Sequence, residues 1–440
     1  MPENFQRIHL PGTSDKTHEG SRIRENSVEF LDSYKFRYGF VKGYNMVIPN
    51  PAAQQRLVSL DQFRGYTVIG MILVNYAGGF VVVPEVLKHH NDYCSYADTI
   101  MPQFLFAVGF AFRLTFERRA QREGLGAAYG RMVRRLLGLA LVAIVVYGTS
   151  APAETWSQLV QLGPFSALAP SLKRDWCQTL MHIAATSLWI LPVIRSSFSV
   201  RVGYAVISAA LHVLFSWQFN FVWCNSSPNA IDGGPLGFLT WSIPAIVGTL
   251  ACDVVTSQDT RTPWLKLIVT SLALMAAGWG LSCGTRFYDV PSEHIEEWKE
   301  QRLSENPVIP ASEQLQFRGL AEAPFVQPPP ITDRKWNYWM MCQRAATLSY
   351  LTFCAGFSLL VYVLFHFLCD KRHWEVSLFR VFGTNALIVY ILHSMVGDAV
   401  QPFVPRDSPG WYVATSWIVI MAIMWTFVRY LERNKVYLRL

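Results

Sequence analysis

From residue 56 onward the chain alternates long apolar runs with short polar stretches. A bilayer-spanning helix needs roughly 20 mainly apolar residues. Ten runs approach that length, near 64–86, 98–116, 132–150, 178–195, 202–220, 236–254, 263–282, 346–368, 379–398 and 411–430. The first two are short of ideal, with polar residues at both ends. So many runs of membrane length argue against a large soluble helical protein. The pattern predicts an all-α, polytopic membrane helix bundle of about ten transmembrane helices.

The polar stretches fix the organisation. Residues 1–55 are polar and patternless, with no apolar region of the kind that starts a signal peptide. One reading places the start of translation at Met46; peptides from residues 1–40 at the native N-terminus would end it. The transmembrane domain is assigned to 56–440. Within it, 283–340 is a long polar, Pro- and Glu-rich loop with a short amphipathic helix expected around 291–304. The loop after the second run, ERRAQREGLGAAYGRMVRR, is densely basic, as are the segment after the eighth run and the C-terminal tail. Loops after the first, fifth and ninth runs are nearly free of Lys and Arg. The positive-inside rule therefore puts both termini in the cytoplasm, and an even number of spans agrees. The 283–340 loop then lies outside the cytoplasm.

Composition sharpens this picture. Of 440 residues, 51% are hydrophobic and 16% charged, against about 25% charged in a soluble domain. The net charge of +7 is carried by loops that set orientation, so no nucleic-acid partner is expected. Eight scattered cysteines contain no C-x-x-C, and those inside apolar runs read as small buried hydrophobes.

Chemistry is concentrated around the first two runs. In RLVSLDQFRGYTVIGMILVNYAGG, Asp61 and Arg64 share a helix face at the cytoplasmic end. Asn75 lies at membrane depth, where an amide is costly unless bonded. In KHHNDYCSYADTIMPQFLFAVG, His89 and His90 stand in the extracytoplasmic loop and Asp98 opens the next helix. The bland reading of Asp98 is macrodipole stabilisation. Adjacent histidines point to different sides and no third ligand is spaced for zinc, so no metal is expected. The pairing with Asn75 and Asp98 favours a general-base histidine. Elsewhere Arg344 starts the eighth run, Asn385 and His393 share a face of the ninth, and Arg113 lies in the second. Interhelical hydrogen bonding is the bland reading of these.

The succession S-L-D-x-F-R-G, V-N-Y-x-G-G, His and A-D-x-x-x-P-x-F-L-F-x-x-G resembles the heparan-alpha-glucosaminide N-acetyltransferase family and its bacterial relatives. GPLGFLTWSIPAIVGTLACD and GTNALIVYILH are similar to later motifs of the same family, and the resemblance covers about 56–430. It implies transfer of an acetyl group from cytosolic acetyl-CoA through the membrane to an extracytoplasmic amino sugar or glycan. By position, Asn75 matches the family's active-site asparagine and Asp98 its alanine-aspartate carboxylate. Asp61 and Arg64 match the motif at the cytoplasmic mouth. Asn385, His393 and Arg344 then line the substrate cavity. The Trp-Asn-Gly that normally follows the catalytic histidine is replaced here, so His89 and His90 both remain candidates, with His90 preferred as the nearer to Asp98. Near Gln178 the chain reads CQTLMHIA, with His182, where the family usually has Leu-Gln-Arg.

These residue types suit acyl transfer. A neutral imidazole near pH 7 accepts the nucleophile's proton, Asp98 orients the ring, and Asn75 donates to the tetrahedral oxyanion. Alternatively the histidine itself carries the acetyl group. Arg64, Arg131, Arg134 and Arg135 are candidates for the anionic groups of CoA, with Asp61 beside them; Arg131, Arg134 and Arg135 also read as plain topology signals. The expected partners are acetyl-CoA, a sugar acceptor and membrane lipids, in a bacterial cytoplasmic (inner) membrane; oligomeric state is open, a homodimer included. The rival reading is a multi-pass transporter or flippase of a sugar or lipid-linked sugar.

Overall fold

Helices occupy all ten apolar runs. The computed structural model describes residues 57–149, 151–257, 264–290, 303–312, 319–328 and 334–438. The helices are α1 Val58–Ala77, α2 Tyr96–Glu123, α3 Leu125–Tyr147, α4 Trp156–Pro170, α5 Thr179–Val193, α6 Phe198–Asn225, α7 Gly234–Thr256, α8 Trp264–Tyr288, α9 Leu348–Lys371, α10 Ser377–Thr384, α11 Ala386–Phe403 and α12 Gly410–Arg433. Among the described residues there is no strand, only isolated bridges from Asp289 to Arg334 and Leu303 to Trp336. The chain is an all-α membrane helix bundle. Seven helices (α2, α6 to α9, α11 and α12) are long and apolar enough to cross a bilayer, fewer than the ten runs expected. The difference is charge and length: α1 holds Asp61 and Arg64, α3 holds Arg131, Arg134 and Arg135, and α5 is short.

Three local departures from the sequence pattern matter for the site. The first run ends its helix at Ala77, and residues 78–95 form a loop with one turn at Glu85–Leu87. The ninth run is broken at Asn385 into α10 and α11. Helix α4 was not expected. Residues 1–56 and 291–302, where the N-terminal segment and the short amphipathic helix were placed, lie outside the described residues.

Helices α2, α7 and α9 are buried along most of their length, whereas α6, α8, α11 and α12 expose apolar side chains. Leu141 is 66% exposed, Val145 80% and Leu265 75%. A soluble protein would aggregate through such a belt; a bilayer covers it. Buried helices pack through small residues, as expected where lipid is as apolar as leucine. A methyl on Gly109 would meet the Ala245 carbonyl oxygen at 2.0 Å, and one on Gly248 the Phe106 carbonyl oxygen at 2.1 Å. Phe63 then sits edge-on to Phe106 and Tyr362, with centroids 5.8 and 5.7 Å apart.

The two ends of the bundle differ. At the basic end, Ser59 N donates to Asp370 Oδ1 at 3.2 Å and Gln62 Nε2 to the Val376 carbonyl at 3.2 Å. Arg113 bonds Asp253 at 2.8 Å and the Ile194 carbonyl at 2.8 Å, and Arg201 pairs with the same Asp253. Arg113 is thus a tie between helix ends, as its bland reading had it. At the opposite end lie 78–95, α4, 226–233 and the described parts of the 283–346 segment. That segment is docked: Phe325 N donates to the Cys94 carbonyl at 2.9 Å, and Arg334 bridges Asp289 at 2.6 Å and Glu322 at 3.0 Å. Its last residues, Gln343 and Arg344, reach the cavity described next.

Candidate active site

A cavity of about 830 Å³ opens at the non-basic end of the bundle. That is the size of an ordinary small-molecule site. Its wall combines α1 (Met71, Asn75), the 78–95 loop (His89), α2 (Ile100, Phe104), the end of α3 (Tyr147), the 229–232 loop (Asp232) and α11 (Tyr390, His393), closed by Gln343 and Arg344.

The helix start that places Asp98 also builds the centre of the site. Ser95 caps α2: its Oγ accepts from Asp98 N at 3.3 Å, while the Asp98 carboxylate accepts from Ser95 N at 3.0 Å. This reciprocal capping box satisfies free helix-end donors and buries Asp98 to 1% exposure. The carboxylate's other oxygen holds His89, with Nδ1 2.9 Å from Asp98 Oδ1. With Nδ1–H donated to the carboxylate, Nε2 carries the lone pair, the tautomer a general base needs. The His89 side chain is 42% accessible, so it is open to the cavity rather than locked in the core. Burial draws the imidazole pKa down, but the hydrogen bond and charge of Asp98, together with the charge of Asp232 and the Gln343 amide, outweigh it and hold the ring above its ordinary value.

His90 goes elsewhere. Its backbone N–H donates to Asp98 Oδ2 at 3.3 Å, its ring lies 3.1 Å from the Glu85 carbonyl and 4.4 Å from the Tyr93 ring, and it does not line the cavity. The sequence preference for His90 followed its distance from Asp98 along the chain. The loop fold, which turns consecutive side chains to opposite sides, brings His89 instead.

Asn75 faces the cavity, and its Nδ2 is 3.3 Å from His393 Nε2. His393 Nδ1 bonds the Tyr390 carbonyl, which leaves Nε2 as the acceptor for Asn75. Tyr390 and Tyr147 meet hydroxyl to hydroxyl at 2.6 Å. Arg344 lines the cavity, with its guanidinium over the Trp336 ring and its backbone N–H bonded to Asn91 Oδ1 at 3.1 Å. Asn385 is different: it is buried at the α10–α11 break with neither side-chain polar atom bonded, and it is not part of the cavity wall. Asp61, Arg64, Arg134 and Arg135 do not line the cavity. Arg64 and Arg135 lie on the basic half of α1 and α3, where Arg135 is within electrostatic reach of Arg64 and Arg119.

Sequence reasoning missed Asp232, which lines the cavity at 3% exposure. Gln343 Nε2 donates to Asp232 Oδ1 at 3.1 Å, and the same amide lies beside the His89 ring. Burial pushes the Asp232 carboxyl up to about 6, against the opposing pull of Gln343 and His89. The signal was the Asp232-Gly233 turn that precedes α7, a polar step directly ahead of an apolar run.

A family model described as an acyltransferase domain matches residues 57–429. The match takes in α1 to α11, most of α12 and every residue of the cavity wall. No curated protein matches the chain.

Proposed function

The chain belongs to the acyltransferase domain family, and from that premise we propose that this membrane acyltransferase moves an acetyl group from acetyl-CoA to an amino sugar or glycan on the far side of the bilayer. The observation that carries the reading is His89, tied by Nδ1 to Asp98 and open to a cavity large enough for a sugar and a thioester. His89 Nε2 accepts the acceptor's proton as nitrogen or oxygen attacks the thioester carbon. Asp98 holds the ring and stabilises the imidazolium. Asn75, steadied by His393, offers its amide to the developing oxyanion, a contribution of roughly 3 kcal/mol when well placed.

The donor reaches the cavity from the basic end. The positive-inside rule puts that end in the cytoplasm, where acetyl-CoA is made. Arg64, Arg119 and Arg135 concentrate cationic charge there, and Arg119 Nη1 is buried without a hydrogen-bond partner. Such a cluster suits the phosphates of CoA; Arg134 and Asp61 flank it. The rival reading, a transporter or flippase, predicts no dependence on a single histidine.

Labelled acetyl-CoA supplied to the basic-end side of oriented vesicles tests the proposal. Acetylated sugar on the opposite side, lost in His89→Ala, is the expected result. Sugar that accumulates unmodified, or transfer that survives in His89→Ala, refutes it.

A further inference from the structure

Asp232 and Asp398 line the cavity and Asp98 stands behind His89, and the chemistry assigned above uses only Asp98. Asp98 is consumed by its bonds to Ser95, His89 and His90 N. Asp232 lines the cavity, and among the described residues its carboxylate accepts one hydrogen bond, from Gln343 Nε2. The backbone holds it there deliberately. Asp232 has φ 54° and Gly233 φ 87°, a left-handed conformation that costs a non-glycine residue free energy. Gly237 lets the turn close: a methyl there would stand 2.2 Å from the Asp232 carbonyl oxygen, and Trp241 Nε1 donates to that same oxygen at 2.8 Å. Among the described residues no Lys or Arg pairs with this buried acid, and a strained turn fixed by packing around such a group suits a positively charged ligand.

We propose that Asp232 is the acceptor-binding carboxylate, which pairs with the ammonium group of an amine acceptor and takes its first proton, ahead of His89. The inference rests on the acetyl-transfer reading and names its acceptor as an amine. The proton balance requires such a group. An ammonium ion must lose one proton before its nitrogen has a lone pair and a second as the amide forms. Asp232 takes the first. The freed nitrogen forms the C–N bond, His89 takes the second proton, the C–S bond breaks, and His89 returns that proton to the departing thiolate. The proton on Asp232 leaves to water, so ammonium plus thioester gives amide, thiol and one proton.

The groups that face Asp232 are consistent with this role. The Gln343 amide lies beside both Asp232 and the His89 ring, Asp98 stands behind that ring, and Arg174, Arg344 and Asp398 are the other charged groups of the wall. Tyr147, Tyr390, Tyr350 and Cys177 also feel the charge of Asp232, and all are neutral near pH 7. With the carboxyl near 6, Asp232 is ionised at neutral pH and binding of an ammonium group is lost as pH falls through about 6.

Full-length protein in detergent provides the test, with glucosamine and O-methylhydroxylamine as probes. Glucosamine is largely ammonium at neutral pH; O-methylhydroxylamine is already the free base. Asp232→Asn is expected to lower kcat/KM about 100-fold for glucosamine and only a few-fold for O-methylhydroxylamine, and Asp232→Glu to restore part of the glucosamine rate. Glucosamine without acetyl-CoA is expected to raise the melting temperature of the wild type above pH 6 and not that of Asp232→Asn. Equal loss with both amines, or undiminished glucosamine stabilisation in Asp232→Asn, overturns the inference. Asp232-dependent stabilisation with no acetyl transfer in the wild type upholds the ammonium site and instead sinks the acetyl-transfer reading.

Discussion

At the residue scale, two neighbouring histidines have opposite fates. His89 takes the Asp98 carboxylate and the cavity; His90 takes the Glu85 carbonyl and the Tyr93 ring. His89→Ala is expected to lower kcat by about 10³-fold, the usual worth of a general base, while His90→Ala stays within a few-fold; steady-state rates on purified protein decide it, and reversal of the two effects would exclude His89. The pH profile follows from Asp98. A base must be neutral, and Asp98 raises the pH at which His89 gives up its proton. The acid limb of kcat/KM should therefore lie above the ordinary histidine value of about 6.5. In Asp98→Asn the limb should move to lower pH as the residual rate falls, because burial is then opposed only by the weaker contributions of Asp232 and Gln343. A limb that stays in place would show that another group titrates.

At the element scale, reciprocal glycine contacts set the helix spacing. A methyl on Gly65 would stand 1.8 Å from the Phe379 carbonyl oxygen, and one on Gly383 1.9 Å from the Asp61 carbonyl oxygen. These contacts clamp α1 to α10. The clamp matters to the cavity, since α1 carries Asn75 and α10 leads into α11 with His393. Gly65→Ala is expected to destabilise the fold by about 1–3 kcal/mol through overpacking and to lower activity as the 3.3 Å Asn75–His393 contact opens. Gly130→Ala is the control: no atom lies within 4 Å of a methyl there, so thermal unfolding in detergent should be unchanged or slightly raised. Equal melting temperatures for both variants would dismiss the clamp. Helix α4 shows the limit of pattern reading. Its 15 residues fall short of a span and contain Pro164 and Pro170, with Gly163 at φ 73°, so no window of membrane length picks it out.

At the scale of the whole molecule, the separation of the basic end from the cavity end is what the proposed vectorial transfer requires. If the basic end is cytoplasmic, Ser227 and Lys371 lie on opposite sides. Both are exposed, and of the native cysteines only Cys283 is not buried. In a Cys283→Ser background, Ser227→Cys should react with an impermeant maleimide on intact cells, and Lys371→Cys only after permeabilisation. The opposite pattern would invert the orientation and with it the direction of acetyl transfer.

The sequence by itself determined the solvent. Apolar runs of membrane length can satisfy their backbone groups in lipid only as helices, so an all-α membrane bundle followed from hydropathy, and Asp98 and Asn75 were legible because charge and amide are rare at that depth. Helix limits were legible only where capping or charge marks them, which is why the first run was drawn past Ala77. Tertiary structure alone decided the site's partners. Asn75 and His393 meet across 318 residues, and Asp232 comes into the cavity with His89 only because a left-handed turn before α7 and the end of the 283–346 segment converge there. Long-range convergence depends on packing between helices, and no local pattern of polar and apolar residues encodes which distant side chain a given carboxylate will face.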